Sequence, residues 1–232
     1  MPNWCDNQIT ITGPNSVIDK IEKIVKEEKE DNGLLQFMFP MPKALKDTVA
    51  GPEPKTKKEK LEKARLNVEY GASNWYDWRT TNWCTKWEVN EFYGVDRQYH
   101  SEQNEGESTI SFAFSSAWAP PTGAYEKFLE DNEECTLKAH YYEGGCDFMG
   151  IWDNGDDRCY APGDYKSDSK FFDSGDGWEL DDHFSITGLM AEYEAEQEEE
   201  RLNEEVYKYS KGQKVNIGCL LYTSPSPRDA LT

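Results

Sequence analysis

The chain has 232 residues, 45 of them acidic against 25 basic, giving a formal charge of −20. Its hydrophobic share is 37% and its aromatic share 13%, so the length allows a sizeable core built to an unusual degree from rings, with long polar excursions. The charge disfavours direct binding to nucleic acid or to an anionic membrane, both of which need a basic face, and favours a partner protein with a basic surface.

Ile9 and Ile11 alternate with Gln8, Thr10 and Thr12, the period of a half-buried strand that Gly13-Pro14 ends. Ser16, three residues before Asp19, reads as a capping box for a helix whose apolar face is Val17, Ile18, Ile21, Ile24 and Val25. Asn32-Gly33 closes it, and Leu35 to Phe39 reads as a second strand. From about 43 to 68 the chain is rich in Lys, Glu and Pro and is expected to form a mobile charged insertion, with Pro52 and Pro54 ahead of a helical run. Tyr70 to Thr81 reads as a short helix or ordered loop, Trp87 to Tyr93 as the approach to a strand, and Gln98 to Glu107 as a hairpin loop.

Ile110, Phe112 and Phe114 alternate with Ser111, Ala113 and Ser115 in the clearest strand of the chain. Pro120-Pro121 opens a second helix carrying Tyr125, Phe128 and Leu129. Leu137, Ala139 and Tyr141 form a further strand, Phe148 to Trp152 another, and Asn154-Gly155 is a tight-turn signal. The order is β-α-β, then β-α-β with an added strand, which a ferredoxin-like α+β sandwich requires. Residues 161–182 are Gly, Ser and Asp rich, with Phe171, Phe172 and Trp178 as anchors, and Thr187 to Ser210 predicts an acidic helical extension. That helix has a broken apolar stripe, which favours docking on the domain over a coiled coil. The domain is therefore expected over 1–160 and the acidic extension over 161–218.

The last stretch has another origin. Cys219 to Asp229 matches, residue for residue, one reading frame of a transposase-type sequencing adapter, so the native sequence is expected to stop near Gly218 and the reading frame to be metagenomic.

No run approaches the roughly 20 apolar residues of a membrane span, and the N-terminus lacks the basic and apolar regions of a signal peptide, so a cytoplasmic protein is expected. Six cysteines form no Cys-x-x-Cys pair and the three histidines stand alone, which favours reduced thiols over disulfides or zinc. The carboxylates of Asp153 to Asp157 and of Asp168 to Asp182 lack EF-hand spacing and read as turns. Pro2 as an N-terminal general base is the sharpest enzymatic idea, but Asn3-Trp4 reads better as a strand anchor. Phe112, Phe114 and Tyr141 are expected to meet helices rather than stack on RNA bases. There is no phosphate loop and no nucleophile elbow, and no cofactor is implied.

Three tryptophan-centred words stand out: Met1-Pro2-Asn3-Trp4-Cys5-Asp6-Asn7, Asn82-Trp83-Cys84-Thr85-Lys86-Trp87 and Phe114-Ser115-Ser116-Ala117-Trp118-Ala119-Pro120-Pro121. In this order they resemble the YubB-like ferredoxin-like domain family, uncharacterised proteins of bacteriophages and conjugative plasmids, over roughly Met1 to Tyr160. The resemblance implies the fold and a mobile-element setting, and no activity. Members usually carry Gly at the position of Cys84, which marks Cys84 as a strained residue if the position needs a positive φ.

Two functional expectations follow. The first is a non-enzymatic interaction module of a phage or plasmid in a bacterial host, engaging a basic host or phage protein through an acidic face at Glu192, Glu194, Glu196, Glu198, Glu199 and Glu200. The second is a small-molecule or enzyme site beneath the tryptophan cluster, drawn from Trp75, Trp78, Asn82, Trp83, Lys86, Trp87 and Trp118.

Overall fold

Alternation along Trp4–Pro14 (β1) buries Cys5, Asn7, Ile9 and Ile11 on one side and leaves Gln8, Thr10 and Thr12 on the other. The computed structural model describes residues 3–27, 33–51, 54–100 and 106–210. In it β1 lies inside a six-stranded, wholly antiparallel open sheet with Tyr93–Tyr99 (β2), Glu107–Ala117 (β3), Thr136–Glu143 (β4), Phe148–Asp153 (β5) and Asp156–Tyr160 (β6). The order across the sheet is β2-β3-β1-β4-β5-β6. The fold is mixed α and β, as the alternating strands and amphipathic helices require.

Helices cover one face. Asn15–Glu27 (α1) buries Val17, Ile18, Ile21 and Val25, and Thr122–Asp131 (α6) buries Ala124, Tyr125 and Phe128. They meet a sheet face of Ile9, Ile11, Phe112, Phe114, Leu137 and Ala139, all in one core cluster. Each Ile, Leu or Phe among them contributes about 1.5–3 kcal/mol on burial. Phe112 and Phe114 are therefore core residues, as their alternation predicted. Ser16 lies inside α1 rather than before it, and Asp19 pairs with Arg97 at 2.7 Å instead of closing a capping box.

The expected strand at Leu35 to Phe39 is a helix, Leu34–Met38 (α2). Leu34, Leu35 and Met38 are buried at helical spacing, and the carboxylate of Glu88 accepts from the backbone N–H groups of Leu35 (2.7 Å) and Gln36 (2.8 Å). The cap is supplied 53 residues downstream, beyond the reach of local pattern. A Cβ on Gly33 would collide with that same Glu88 side chain. The second strand of the sheet is instead β2.

The stretch 43–68 holds two helices, Lys43–Lys46 (α3) and Lys57–Tyr70 (α4). Thr56 and Glu59 form a complete capping box on α4, and Gly71 ends it at φ 73°. Leu45 and Leu66 anchor the stretch in the core cluster, and Thr48 accepts from the backbone N–H of Trp75 at 2.9 Å. Next comes Trp75–Asn82 (α5).

On the opposite face of β4 and β5 lies Gly175–Phe184 (α7), a helix within the stretch expected to be irregular. Phe172 is buried as expected, whereas Trp178 is 54% exposed. The chain divides into two compact units at Thr187/Gly188. Ile186–Ser210 (α8) is the expected acidic helix. No helix among the described residues is long and apolar enough to cross a membrane. Pro2, the tip of the expected hairpin loop at 101–105 and the adapter-like tail lie outside the described residues.

Candidate functional site

The three tryptophan words, distant in sequence, form one corner of the fold. Antiparallel pairing of β1 and β3 sets Trp4 opposite Ala117. The backbone N–H of Trp118 donates to the Asn3 carbonyl at 3.0 Å, and the Thr85 hydroxyl donates to the Ala117 carbonyl at 2.7 Å. Asn7, buried in β1, donates to the Cys5 carbonyl (2.8 Å) and to Ser116 Oγ (2.9 Å), and Ser116 in turn donates to the Ala119 carbonyl (2.8 Å). These bonds use the small polar residues that surround each tryptophan in the sequence.

Asn74 starts α5 by accepting from the Asp77 backbone N–H at 2.9 Å, and Asn82 closes it by donating its side-chain amide to the Trp78 carbonyl at 2.8 Å. The chain then turns through Cys84 at φ 66°, the left-handed conformation that Gly takes without cost. Trp118 also has a positive φ, 74°. Two left-handed non-glycine residues therefore frame this corner, a place where strain and function often coincide.

The aromatic cluster expected from the sequence splits into two sets. Trp78 and Trp83 are 3% and 0% exposed; their rings meet edge to face at 5.8 Å, and Trp83 Nε1–H donates to the Phe39 carbonyl at 2.8 Å. They belong to the core, and Asn82 is a helix-ending residue. Arg79 lies beneath them, its guanidinium 4.7 Å from the Trp83 ring and 5.4 Å from the Trp75 ring. Burial pushes its pKa down, with Glu88 pulling the other way, and burial pushes Glu88 up against the backbone N–H groups it accepts.

The second set faces solvent. Trp4 is 51% and Trp118 38% exposed, while Trp75, Tyr76, Lys86 and Trp87 are half-buried. Lys86 Nζ sits 4.6 Å from the Trp87 ring, 5.1 Å from that of Trp118 and 5.8 Å from that of Tyr76. The rings continue in contact on both sides, Trp4 with Trp87 at 5.8 Å and Trp75 with Tyr76 at 5.8 Å. Three ring faces hold one ammonium in place without neutralising it.

This ridge borders an open cleft of about 1100 Å³. Trp75, Tyr76, Trp118 and Lys86 line it together with Asn74 and Asp77, and α4 contributes Lys60 and Lys63. Among the described residues no carboxylate pairs with Lys60, Lys63 or Lys86. The lysines of α4 escaped the sequence reading because they lay in the supposed insertion, and only their i, i+3 spacing hinted that they share a helix face.

Around β4, β5, β6 and α7 several charges are engaged with one another. Asp156 and Asp176 both accept from Arg158 at 2.7 Å, Asp176 also accepts from the Tyr160 hydroxyl at 2.6 Å, and Asp157 accepts from that of Tyr141 at 2.7 Å. Glu179 accepts from Lys138 at 2.5 Å and lies 2.9 Å from His140 Nε2. No group of metal-ligating side chains converges among the described residues. On α8, Glu192, Glu194, Glu196, Glu198, Glu199 and Glu200 are all exposed. At about 100° per residue, Glu192, Glu196, Glu199 and Glu200 share one side while Glu194 and Glu198 take the other, so the six make a ring of charge rather than one face. Arg201 bridges Glu198 and Glu205 within it.

No family model matches the chain, and no curated protein matches it. A solved structure, protein api92 from Yersinia pseudotuberculosis, described under the family DUF1281, is similar at 11% identity with a TM-score of 0.35, covering 69% of this chain and 98% of that one.

Proposed function

We propose that the protein is a recognition module whose working surface is the aromatic–lysine corner, and that it binds an anionic ligand with a flat or apolar body in the cleft beside Lys86. The observation that carries this reading is Lys86 held among the Tyr76, Trp87 and Trp118 rings with no carboxylate partner among the described residues, on a chain of net charge −20. Lys60, Lys63 and Lys86, which pair with no carboxylate among the described residues, gather around one aromatic cleft and form a site for negative charge. The sheet order β2-β3-β1-β4 with α1 and α6 on one face supports a ferredoxin-like arrangement, extended by β5 and β6. The three words that meet at the corner support the phage- or plasmid-family setting.

The test uses an aromatic sulfonate, 8-anilinonaphthalene-1-sulfonate, as a flat anion. It is expected to bind the folded protein with saturable fluorescence, and Lys86→Gln with Lys63→Gln is expected to weaken binding at least tenfold, about 1.4 kcal/mol. Equal binding by the double variant, with its fold intact by circular dichroism, removes the proposal.

A second reading keeps a basic protein partner for α8, because its glutamates are exposed over the whole stretch 191–204. This surface steers association through solvated charge and needs no pocket.

A further inference from the structure

We infer that the ligand of the cleft is a free nucleoside diphosphate, with its base against the ring wall and its phosphates on α4. This rests on the reading of the corner as an anion site and adds the ligand's class. The two walls of the cleft differ in chemistry. One is aromatic, formed by Trp75, Tyr76 and Trp118, with Tyr76 and Trp118 edge to face at 6.3 Å. The other is cationic, with Lys60 and Lys63 three residues apart on α4 and hence neighbours on one helix face.

A ligand that satisfies both walls carries a planar ring at one end and more than one negative charge at the other. A simple aromatic carboxylate offers a single charge and leaves one lysine unmatched, whereas a diphosphate presents charge to both. Between the walls, Asp77 is exposed and oriented by the buried Asn74 side-chain amide, which donates to it at 2.5 Å, and its carboxylate is an acceptor for a base amino group or a ribose hydroxyl. At about 1100 Å³ the cleft is large enough for a ligand of this size.

The same charge argument rules between a free nucleotide and a nucleic-acid strand. A strand gains its affinity by releasing counterions along a basic track. Here the cations are local, and the −20 of the whole chain repels a polyanion approaching from a distance. A small diphosphate anion meets the local lysines and little of that field.

Binding is measured by isothermal titration with ADP and GDP, with adenosine, inorganic pyrophosphate and a twelve-residue oligothymidylate as comparators. ADP or GDP is expected to bind at least tenfold more tightly than adenosine, pyrophosphate or the oligonucleotide. Lys60→Gln with Lys63→Gln is expected to lose at least tenfold toward the diphosphates and leave adenosine unchanged. Trp118→Gly, which removes a ring and suits the positive φ there, is expected to weaken ADP and adenosine together and spare pyrophosphate. If the aromatic sulfonate binds and the diphosphates do not, the nucleotide assignment fails while the anion site stands. If neither binds, both fail. Pyrophosphate binding as tightly as ADP, or the oligonucleotide binding more tightly, also overturns the assignment.

Discussion

The tryptophan corner and the α7 face attach a helix to the same sheet by opposite means. At the corner, α5 is held by buried rings and by backbone bonds from Asn74, Asn82, Thr85 and Trp83, and the neighbouring Lys60, Lys63 and Lys86 pair with no carboxylate among the described residues. At the other face, α7 is held by Glu179 on Lys138 and His140 and by Asp176 on Arg158 and Tyr160, so its charges are consumed by the attachment. Charged groups in a protein become available for recognition where something else holds the fold, and that is the physical ground for placing function at the corner.

The comparison breaks first if the corner is not built on its buried pair. Trp83→Ala is expected to cost about 3–5 kcal/mol, the range for a large buried aromatic, because it also orphans the Phe39 carbonyl. Trp87→Ala, at a half-buried surface ring, is expected to cost no more than about 1 kcal/mol. Urea melts of both variants check the difference. Similar losses would erase the division of the cluster into a core pair and a surface set.

The α7 attachment supplies the second contrast. Burial, the larger influence, holds the pKa values of His140 and His183 below their ordinary 6.5, while hydrogen bonds from His140 and Lys138 hold Glu179 below 4.5. The facing groups on β4 and α7 are Lys138, Glu179 and Asp182, and the two imidazole rings lie 4.2 Å apart. A histidine with a depressed folded pKa is neutral when folded, so its contribution is intact at neutral pH and falls as pH drops below about 6.5. The glutamate contribution is intact above about 4.5 and falls below it, in the same direction. The hydrogen-exchange protection factors of α7, taken relative to the intrinsic rate at each pH, are expected to fall between neutrality and pH 5 while those of α5 hold, and His140→Gln is expected to flatten the α7 response. Equal acid sensitivity of the two helices would end the comparison.

A smaller effect concerns Cys84. Its φ of 66° costs a side-chain residue about 1 kcal/mol relative to Gly, so Cys84→Gly is expected to stabilise by about that amount in a thermal melt. The gain is expected without loss of sulfonate binding, because the Cys84 side chain does not line the cleft.

What could be read from the sequence follows the range of the forces involved. β1, β3, β4, β5, α1 and α6 were visible because burial imprints a period of two or of 3.6 on neighbouring residues. The parts of the corner stood out as three tryptophan-centred words, each with its own turn-fixing residues, but only the pairing of β1 with β3 and the Thr85 bond to Ala117 bring them together. α2 was missed because its cap, Glu88, comes from far along the chain. α7 was missed because Gly175, Asp176 and Gly177 look like loop residues until Arg158 and Tyr160 engage Asp176. Lys60 and Lys63 were visible as charges but not as part of a site, since only the packing of α4 beside α5 gives them rings for neighbours.

The smallest expected effect on stability belongs to α8, and it tests the basic-partner reading by itself. Replacing Glu192, Glu194, Glu196, Glu198, Glu199 and Glu200 with Gln keeps side-chain length and removes six charges, while leaving the corner untouched. Residues 191–204 are exposed throughout, so the melting temperature is expected to move little. Association with poly-lysine is expected to weaken at low ionic strength and to depend less steeply on salt, because solvated charges act over a Debye length of about 10 Å at 0.1 M salt. Sulfonate binding at the corner is expected to hold or improve slightly, since the variant relieves part of the field opposing an anion. Unchanged poly-lysine binding across the titration would reduce α8 to a solubilising segment and leave the corner as the recognition surface of the protein.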